Sequence, residues 1–361
     1  MKNTFGNTVS ITLFGESHGP CIGCVIDGLT PGLPVDESYI AQLLSKRRPK
    51  GTISTARQEA DPFVIESGVF NGKTTGTPIC IRIPNADTRS GDYSRLARPG
   101  HADYTANCKY HGNEDYRGGG HFSGRITAAL VAAAGIVMPA LEKKGIAIAT
   151  HIRRLATVED RTFEQICEDI AVLKQAEFPV LNPEIGEVMT QRILDAKADG
   201  DSVGGMLETV VIGLPAGVGE PWFDTVEGML SHALFSIPAV KGVEFGDGFA
   251  LADMRGSEAN DAFCADDGRI TTITNHNGGI NGGITNSMPL MFRCAIKPTP
   301  TIAKEQNTVD LNTGDNAVLQ AHGRHDPCIV HRAAVVVDAI TALTLCDMLC
   351  GRYGTDWLGE V

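Results

Sequence analysis

Apolar and polar positions alternate weakly across Val9–Phe14 and resume across Cys21–Leu29. This predicts two partnered strands around the polar turn Gly15–Pro20, with Pro31-Gly32 as a further turn. Ser38–Lys46 places Ile40, Leu43 and Leu44 at helical spacing. Phe63–Phe70 and Pro78–Ile83 read as strands, with Asn71-Gly72 between them as a hairpin signal. Gly124–Met138 is apolar all round, which predicts a buried helix, and Pro139 is expected to end or kink it. Phe163–Leu173 and Pro183–Ala198 read as amphipathic helices, Gly204–Leu214 as a strand and Thr225–Leu234 as a helix. Pro289–Lys297 reads as a strand, and Arg332–Cys350 as the last helix. Asn85–Asn113, by contrast, is a long polar stretch with little apolar period, a pattern that inside a compact protein marks either a disordered or a functional segment. Polar, glycine-rich islands recur between the apolar elements, with no linker and no repeat. The expectation is one α+β domain over residues 1–361, with a site assembled from distant loops.

Composition narrows the class. The chain has 361 residues, 42% hydrophobic and 20% charged, ample for a sizeable core. Met1–Phe14 has one lysine and no long apolar run, so it does not read as a signal peptide, and a cytoplasmic location is expected. Ala333–Cys350 carries Asp338 and Asp347, and neither it nor Ile126–Leu141 reads as membrane-spanning. A net charge of −12 argues against a nucleic-acid surface. Lys46-Arg47-Arg48-Pro49-Lys50, followed by Arg57, is therefore either a solvated helix end or an anion contact. Of ten cysteines, only Cys21 and Cys24 have ligand spacing, and no second pair completes a metal site, so reduced thiols are expected.

Gly118-Gly119-Gly120-His121-Phe122-Ser123-Gly124-Arg125 carries the densest chemistry. Glycines let backbone N–H groups approach a ligand, and a helix start behind them favours an anion. The loop lacks the lysine of a phosphate-binding Walker loop and the third glycine of a dinucleotide fingerprint. Three further islands hold histidine beside an acid or hydroxyl: Glu16-Ser17-His18-Gly19, Arg98–Asp103 and Gly323–Pro327. Histidine suits proton transfer near neutral pH. A serine-hydrolase elbow is missing. Arg48, Arg57, Arg98, Arg117, Arg125, Arg324 and Arg332 recur in these islands, and converging arginines would bind a small polyanion.

Gly15–Pro20, Arg98–Thr105, Asp115–Gly120, Ser236–Gly248, Gly278–Gly283, Lys297–Thr299 and Gly323–Cys328 together resemble chorismate synthase, in family order and over nearly the whole chain. The resemblance implies a β-α-β sandwich with helices between antiparallel sheets, assembled as a homotetramer. It implies elimination of phosphate and a ring proton from 5-enolpyruvylshikimate 3-phosphate, giving chorismate. Reduced FMN would be required, with NADPH involved only indirectly and flavin reduced by an external reductase. By motif, His18 would protonate the reduced flavin, His101 would assist the departing phosphate, and Asp326 would act near the flavin as proton acceptor or orienting group. Ser17 would orient flavin or substrate, while Arg48, Arg57, Arg125 and Arg332 would hold substrate anions. His121, Phe122, Ser123, Pro238, Ala239, Gly282, Lys297, Pro298, Thr299, Pro300, Thr301 and Arg324 would line FMN.

The chain departs from the family pattern in places. His121 stands where an arginine is usual, Phe122 where a serine is, and Ile126 where a glutamate is. Ile53 and Ser54 fall where an arginine is common, and Asp338 replaces a glutamate. The alternative to an active enzyme is a non-catalytic flavin- or polyanion-binding relative.

Overall fold

The structure, a computed structural model, describes residues 2–49, 51–54, 60–86, 94–266, 268–321 and 326–359. Arg57 and Arg324 lie outside the described residues, as does most of the Gly323–Pro327 island.

Two five-stranded antiparallel sheets face each other across a helical layer. Across the first sheet the order is β1 (Thr4–Phe5), β2 (Ser10–Gly15), β3 (Cys21–Asp27), β7 (Ile79–Pro84) and β4 (Val64–Ser67). Across the second it is β11 (Val240–Phe245), β16 (Leu290–Ile296), β10 (Gly205–Ile212), β8 (Ala147–Leu155) and β9 (Val158–Glu159). Among the described residues, four two-stranded hairpins decorate them: β5–β6 (Val69–Phe70, Lys73–Thr74), β12–β13 (Phe263–Asp266, Arg269–Thr272), β14–β15 (Ile280–Asn281, Ile284–Thr285) and β17–β18 (Glu305–Val309, Asn316–Gln320). Asn71 and Gly72 close the β5–β6 hairpin, both with positive φ. The flanking β4 and β7 then pair with each other.

Helix α3 (Thr127–Lys143) packs on β3 and β7, and α8 (Val330–Tyr353) packs on β8 and β10. The two helices pack on each other, and α1 (Glu37–Arg47) lies against both. This is the expected sandwich, with helices between antiparallel sheets. Both long helices are apolar and long enough to cross a membrane, but 83% and 89% of their most apolar windows are buried inside the protein, which makes them core helices. The apolar run reads correctly as buried, yet α3 starts at Thr127 and continues through Pro139 to Lys143. One proline costs a single helical hydrogen bond, and packing on both sides of α3 outweighs it.

Strand β16 alternates strictly, with Leu290, Phe292, Cys294 and Ile296 buried. On the far face of the second sheet a smaller core joins Ala149 and Val210 to Phe163, Ile170, Leu173 and Leu181, covered by α4 (Ile166–Gln175). The remaining helices are α2 (Asp103–Tyr110), α5 (Pro183–Ala198), α6 (Val226–Leu234) and α7 (Gly256–Ala259). Helix α2 lies inside the stretch that shows little apolar period, because only Ala106 of its residues is buried.

Candidate functional site

The triple glycine is an irregular turn, not a helix start. Gly118, Gly119 and Gly120 have φ of 59°, 95° and 52°, a region that side chains strongly disfavour. Their missing side chains leave room for two histidines. A Cβ on Gly118 would lie 2.1 Å from His18 Cε1, and one on Gly119 would lie 3.1 Å from His101 Cε1 and 3.3 Å from its Nε2. Consecutive glycines thus seat the imidazoles of two islands that are 83 positions apart in the chain. Gly118→Ala is therefore expected to leave a folded protein whose turnover falls about 100-fold, since displacing a working group by about 1 Å is enough for that. Steady-state kinetics beside a thermal melt would measure it. Unchanged turnover would show that His18 does not need its present position.

Each imidazole is anchored through Nδ1. Ser17 Oγ lies 3.1 Å from His18 Nδ1, and the same hydroxyl donates to the Arg117 carbonyl at 3.3 Å. The Ser17 N–H donates to the Gly120 carbonyl, so the loops Glu16–Gly19 and Gly118–Gly120 are joined through backbone as well. His121 Nδ1–H donates to the Gly15 carbonyl at 2.7 Å. His101 Nδ1 lies 2.8 Å from Asp103 Oδ1. Arg98-Pro99-Gly100-His101 forms a turn closed by His101 N–H on the Arg98 carbonyl, with proline second and positive-φ Gly100 third, the arrangement of a type II turn. The Arg98 guanidinium grips both carboxylate oxygens of Asp103. Burial pushes the Asp103 carboxyl up, but hydrogen bonds from Arg98 and His101 outweigh it and hold the group well below the usual carboxylate range.

Phe122 is surface-exposed and packs edge-on against Tyr110. Ser123 Oγ accepts from the Arg125 N–H, capping the short turn Gly124–Ile126 that precedes α3.

The arginines form a second layer. Arg125 is only 5% exposed, and its guanidinium donates to Asn85 Oδ1, to the Pro84 carbonyl and to Asp61. Asp61, 2% exposed, also faces Arg47 at 3.6 Å. Arg47 itself is buried, donating to Thr127 and to the Gly124 carbonyl. The basic cluster is thus split: Arg47 points inward as a structural clamp, and the buried Nε of Arg48 has no hydrogen-bond partner among the described residues. Arg332 donates to the Arg47 carbonyl at 2.8 Å and to Asp326 at 2.6 Å. Asn85 donates to the carbonyls of Glu16 and Gly19, which links the arginine layer to the histidine layer.

On the other side, Lys297 Nζ donates to the Gly100 carbonyl, and the Lys297 N–H donates to the Ala239 carbonyl. Ala239 holds φ at 75°, a strained value for a residue with a side chain. A cleft of about 350 Å³ opens here, lined by Gly100, Ser202, Lys297, Pro298, Thr299 and Pro300. Thr299 Oγ1 is buried in this region with no hydrogen-bond partner among the described residues. The Lys297 ammonium suits a phosphate-bearing ligand, beside the Asp201 carboxylate that lines the same cleft and is itself held by Lys304. One run of contacts therefore connects Asp326, Arg332, Arg47, Asp61, Arg125, Asn85, the Glu16–Gly19 loop, the triple glycine, His101 and Lys297. Gly282 is placed differently, at the tip of the β14–β15 hairpin, where nothing among the described residues lies within 4 Å of its missing side chain.

A family model described as chorismate synthase matches residues 9–350. The chain belongs to the chorismate synthase family. It is 47% identical to a chorismate synthase of Thermococcus gammatolerans, with 99% of each chain covered. It is 45% identical to one of Aeropyrum pernix, covering 100% of this chain and 96% of the relative. A solved structure described as a crystal structure of chorismate synthase superposes with a TM-score of 0.77 at 28% identity, covering 97% of this chain and 94% of that one. Chorismate synthase function is accordingly supported for this chain. Asp61, Asn85, Asp103 and Arg47 went unassigned in the sequence reading of this family member. Asp103 and Arg47 had a visible signal in the motifs Arg98–Thr105 and Lys46–Lys50, and Asn85 opens the polar stretch Asn85–Asn113, whereas Asp61 had none.

Proposed function

We propose that the chain eliminates phosphate and a ring hydrogen from 5-enolpyruvylshikimate 3-phosphate, giving chorismate, with reduced FMN as cofactor. The observation that carries this reading is the seating of His18 and His101 on consecutive glycines, within the run of arginine contacts. A phosphate ester with two carboxylates is the kind of ligand such a set attracts.

The residues divide the work by chemistry. Arg48, Arg57, Arg125 and Arg332 hold the substrate anions, with Arg125 exchanging or sharing its Asp61 partner. His101 supplies a proton to the departing phosphate, and His18 holds a proton for the cofactor. Ser17 fixes the His18 ring, and Asp326 accepts or orients a proton beside Arg332. His121, Phe122, Ser123, Pro238, Ala239, Gly282, Arg324 and the run Lys297–Thr301 line the cofactor. The cleft between Gly100 and Lys297, with the Lys297 ammonium in its wall, suits the phosphate end of that group. Reduced FMN supplies transient electron donation that helps an unacidic carbon–hydrogen bond and a phosphate ester part.

The chain is expected to work as a homotetramer, with flavin reduced by a separate reductase and NADPH acting only through that step. Strongly exposed Trp222, Phe223, Phe249, Phe263 and Ile273 are consistent with self-association. The deciding assay is anaerobic: purified protein, chemically reduced FMN and the enolpyruvyl substrate, with phosphate and chorismate measured together. Equal release of both is the expected result. Flavin binding with no phosphate release at any flavin concentration would mark a non-catalytic relative instead.

A further inference from the structure

We propose that Asp103, held by Arg98, is the positioning residue that keeps the proton of neutral His101 on Nδ1 and makes Nε2 the nitrogen that exchanges protons. The inference rests on the reading of His101 as a proton-transfer group. It is carried by the number and direction of the donors around one carboxylate.

Asp103 is the first residue of α2, where the helix dipole favours a negative charge. Its Oδ2 accepts from the Arg98 backbone N–H at 2.9 Å and from Arg98 Nε at 2.8 Å. Its Oδ1 accepts from Arg98 Nη2 at 2.7 Å and lies 2.8 Å from His101 Nδ1. Three Arg98 donors on one carboxylate keep it ionised, and an ionised carboxylate only accepts. The fourth contact, from His101, must then be Nδ1–H. Arg98 Nη2 is also 3.2 Å from Nδ1 and as a donor would favour a bare Nδ1, but that contact is longer than the 2.8 Å one to the carboxylate, and the same Nη2 already donates to Oδ1 at 2.7 Å, so the carboxylate decides the tautomer. The opposite edge of the ring, Cε1 and Nε2, faces Gly119. A site that needs its imidazole to give up and regain one proton gains from a fixed tautomer, because the working nitrogen is then always the same one. The arginine has a second consequence: with Asp103 already neutralised in a bidentate pair, the carboxylate orients the ring without competing for its proton.

The test uses full-length protein labelled with ¹⁵N at the histidine ring nitrogens, read by solid-state NMR above the histidine titration range. The His101 signal is assigned by its loss in His101→Gln. The expected wild-type result is a protonated Nδ1 and a bare Nε2. In Asp103→Asn the amide can turn a donor toward Nδ1, so Nε2–H should become populated. Turnover should fall by about 10²–10⁴-fold, up to the loss seen when the carboxylate that orients a proton-transferring imidazole becomes an amide. KM and FMN affinity should stay nearly unchanged. A bare Nδ1 in the wild type overturns the proposal outright, and that reading needs no variant to fold. Lost turnover without a tautomer change would make Asp103 a structural residue, and a tautomer change with full turnover would make it irrelevant; either overturns the proposal. A wild type that shows Nδ1–H and the variant shift but releases no phosphate supports the positioning while sinking the functional reading beneath it.

Discussion

His101→Ala is expected to lower turnover by about 10²–10⁴-fold, the span that general acid–base catalysis usually contributes. FMN affinity and the melting temperature should change little. The geometry explains the separation. Among the described residues the His101 ring is held by the Asp103 carboxylate and lies 3.2 Å from Arg98, with no backbone hydrogen bond, and Arg98 still satisfies the carboxylate when the imidazole is gone. The α2 start and the turn at Gly100 therefore survive, because both rest on Arg98 and on backbone hydrogen bonds. Lys297, which lines the adjacent cleft, bonds the Gly100 carbonyl and not the ring. Flavin titration by absorbance and single-turnover phosphate release would check both halves. A parallel loss of flavin affinity would show that the imidazole is a cofactor contact, and the assignment of roles between His18 and His101 would have to be redrawn.

The same local arguments show which parts of the molecule could be read without coordinates. Elements with one dominant period came through well: α5 occupies Pro183–Ala198 as read, and β16 lies within the strand read at Pro289–Lys297. Strand β8 went unread because His151, Arg153 and Arg154 interrupt its apolar positions, and it is packed against helices on both faces. Only the fold reveals that His151 is paired with acids inside the sheet. At the site, residues inside dense motifs were legible: Ser17, His18, His101 and the triple glycine meet as their chemistry suggests. Asp61 was not, since an isolated acid at positive φ carries no sequence pattern until Arg125 and Arg47 close on it. The basic run Lys46–Lys50 left two readings open, and the fold supplies a third for Arg47, a buried clamp onto α3. Composition could not distinguish these, because it does not record which side of α1 faces the core.

His151→Ala is expected to destabilise the fold by about 3–5 kcal/mol, the cost of removing one partner from a buried ion pair. His151 on β8 is fully buried directly opposite Glu208 on β10, with Nε2 3.0 Å from Glu208 Oε2. Its Nδ1 lies 3.8 Å from Asp160 Oδ2, too long for a hydrogen bond but close enough for attraction. Burial alone would push the imidazole toward neutrality; the two carboxylates outweigh it and raise the histidine above its ordinary value. The acids are independently held. Asp160 accepts backbone N–H groups of Leu181, Asn182 and Arg161, and Glu208 accepts from Thr162. Both stay ionised, so deleting the imidazolium leaves two buried negative charges facing each other across a ring-sized gap. The histidine is raised on folding, so its contribution is complete below the unfolded value of about 6.5 and fades as pH rises through the folded value. Melting temperature should accordingly decline as pH rises above the unfolded value of about 6.5, and the decline should be flatter in the double variant His151→Leu, Glu208→Leu. That double variant should also cost less than the sum of the two single changes, because it removes the charges together. Additive costs, or a pH profile identical to the wild type, would mean that His151 is a neutral core residue and that the two carboxylates do not charge it.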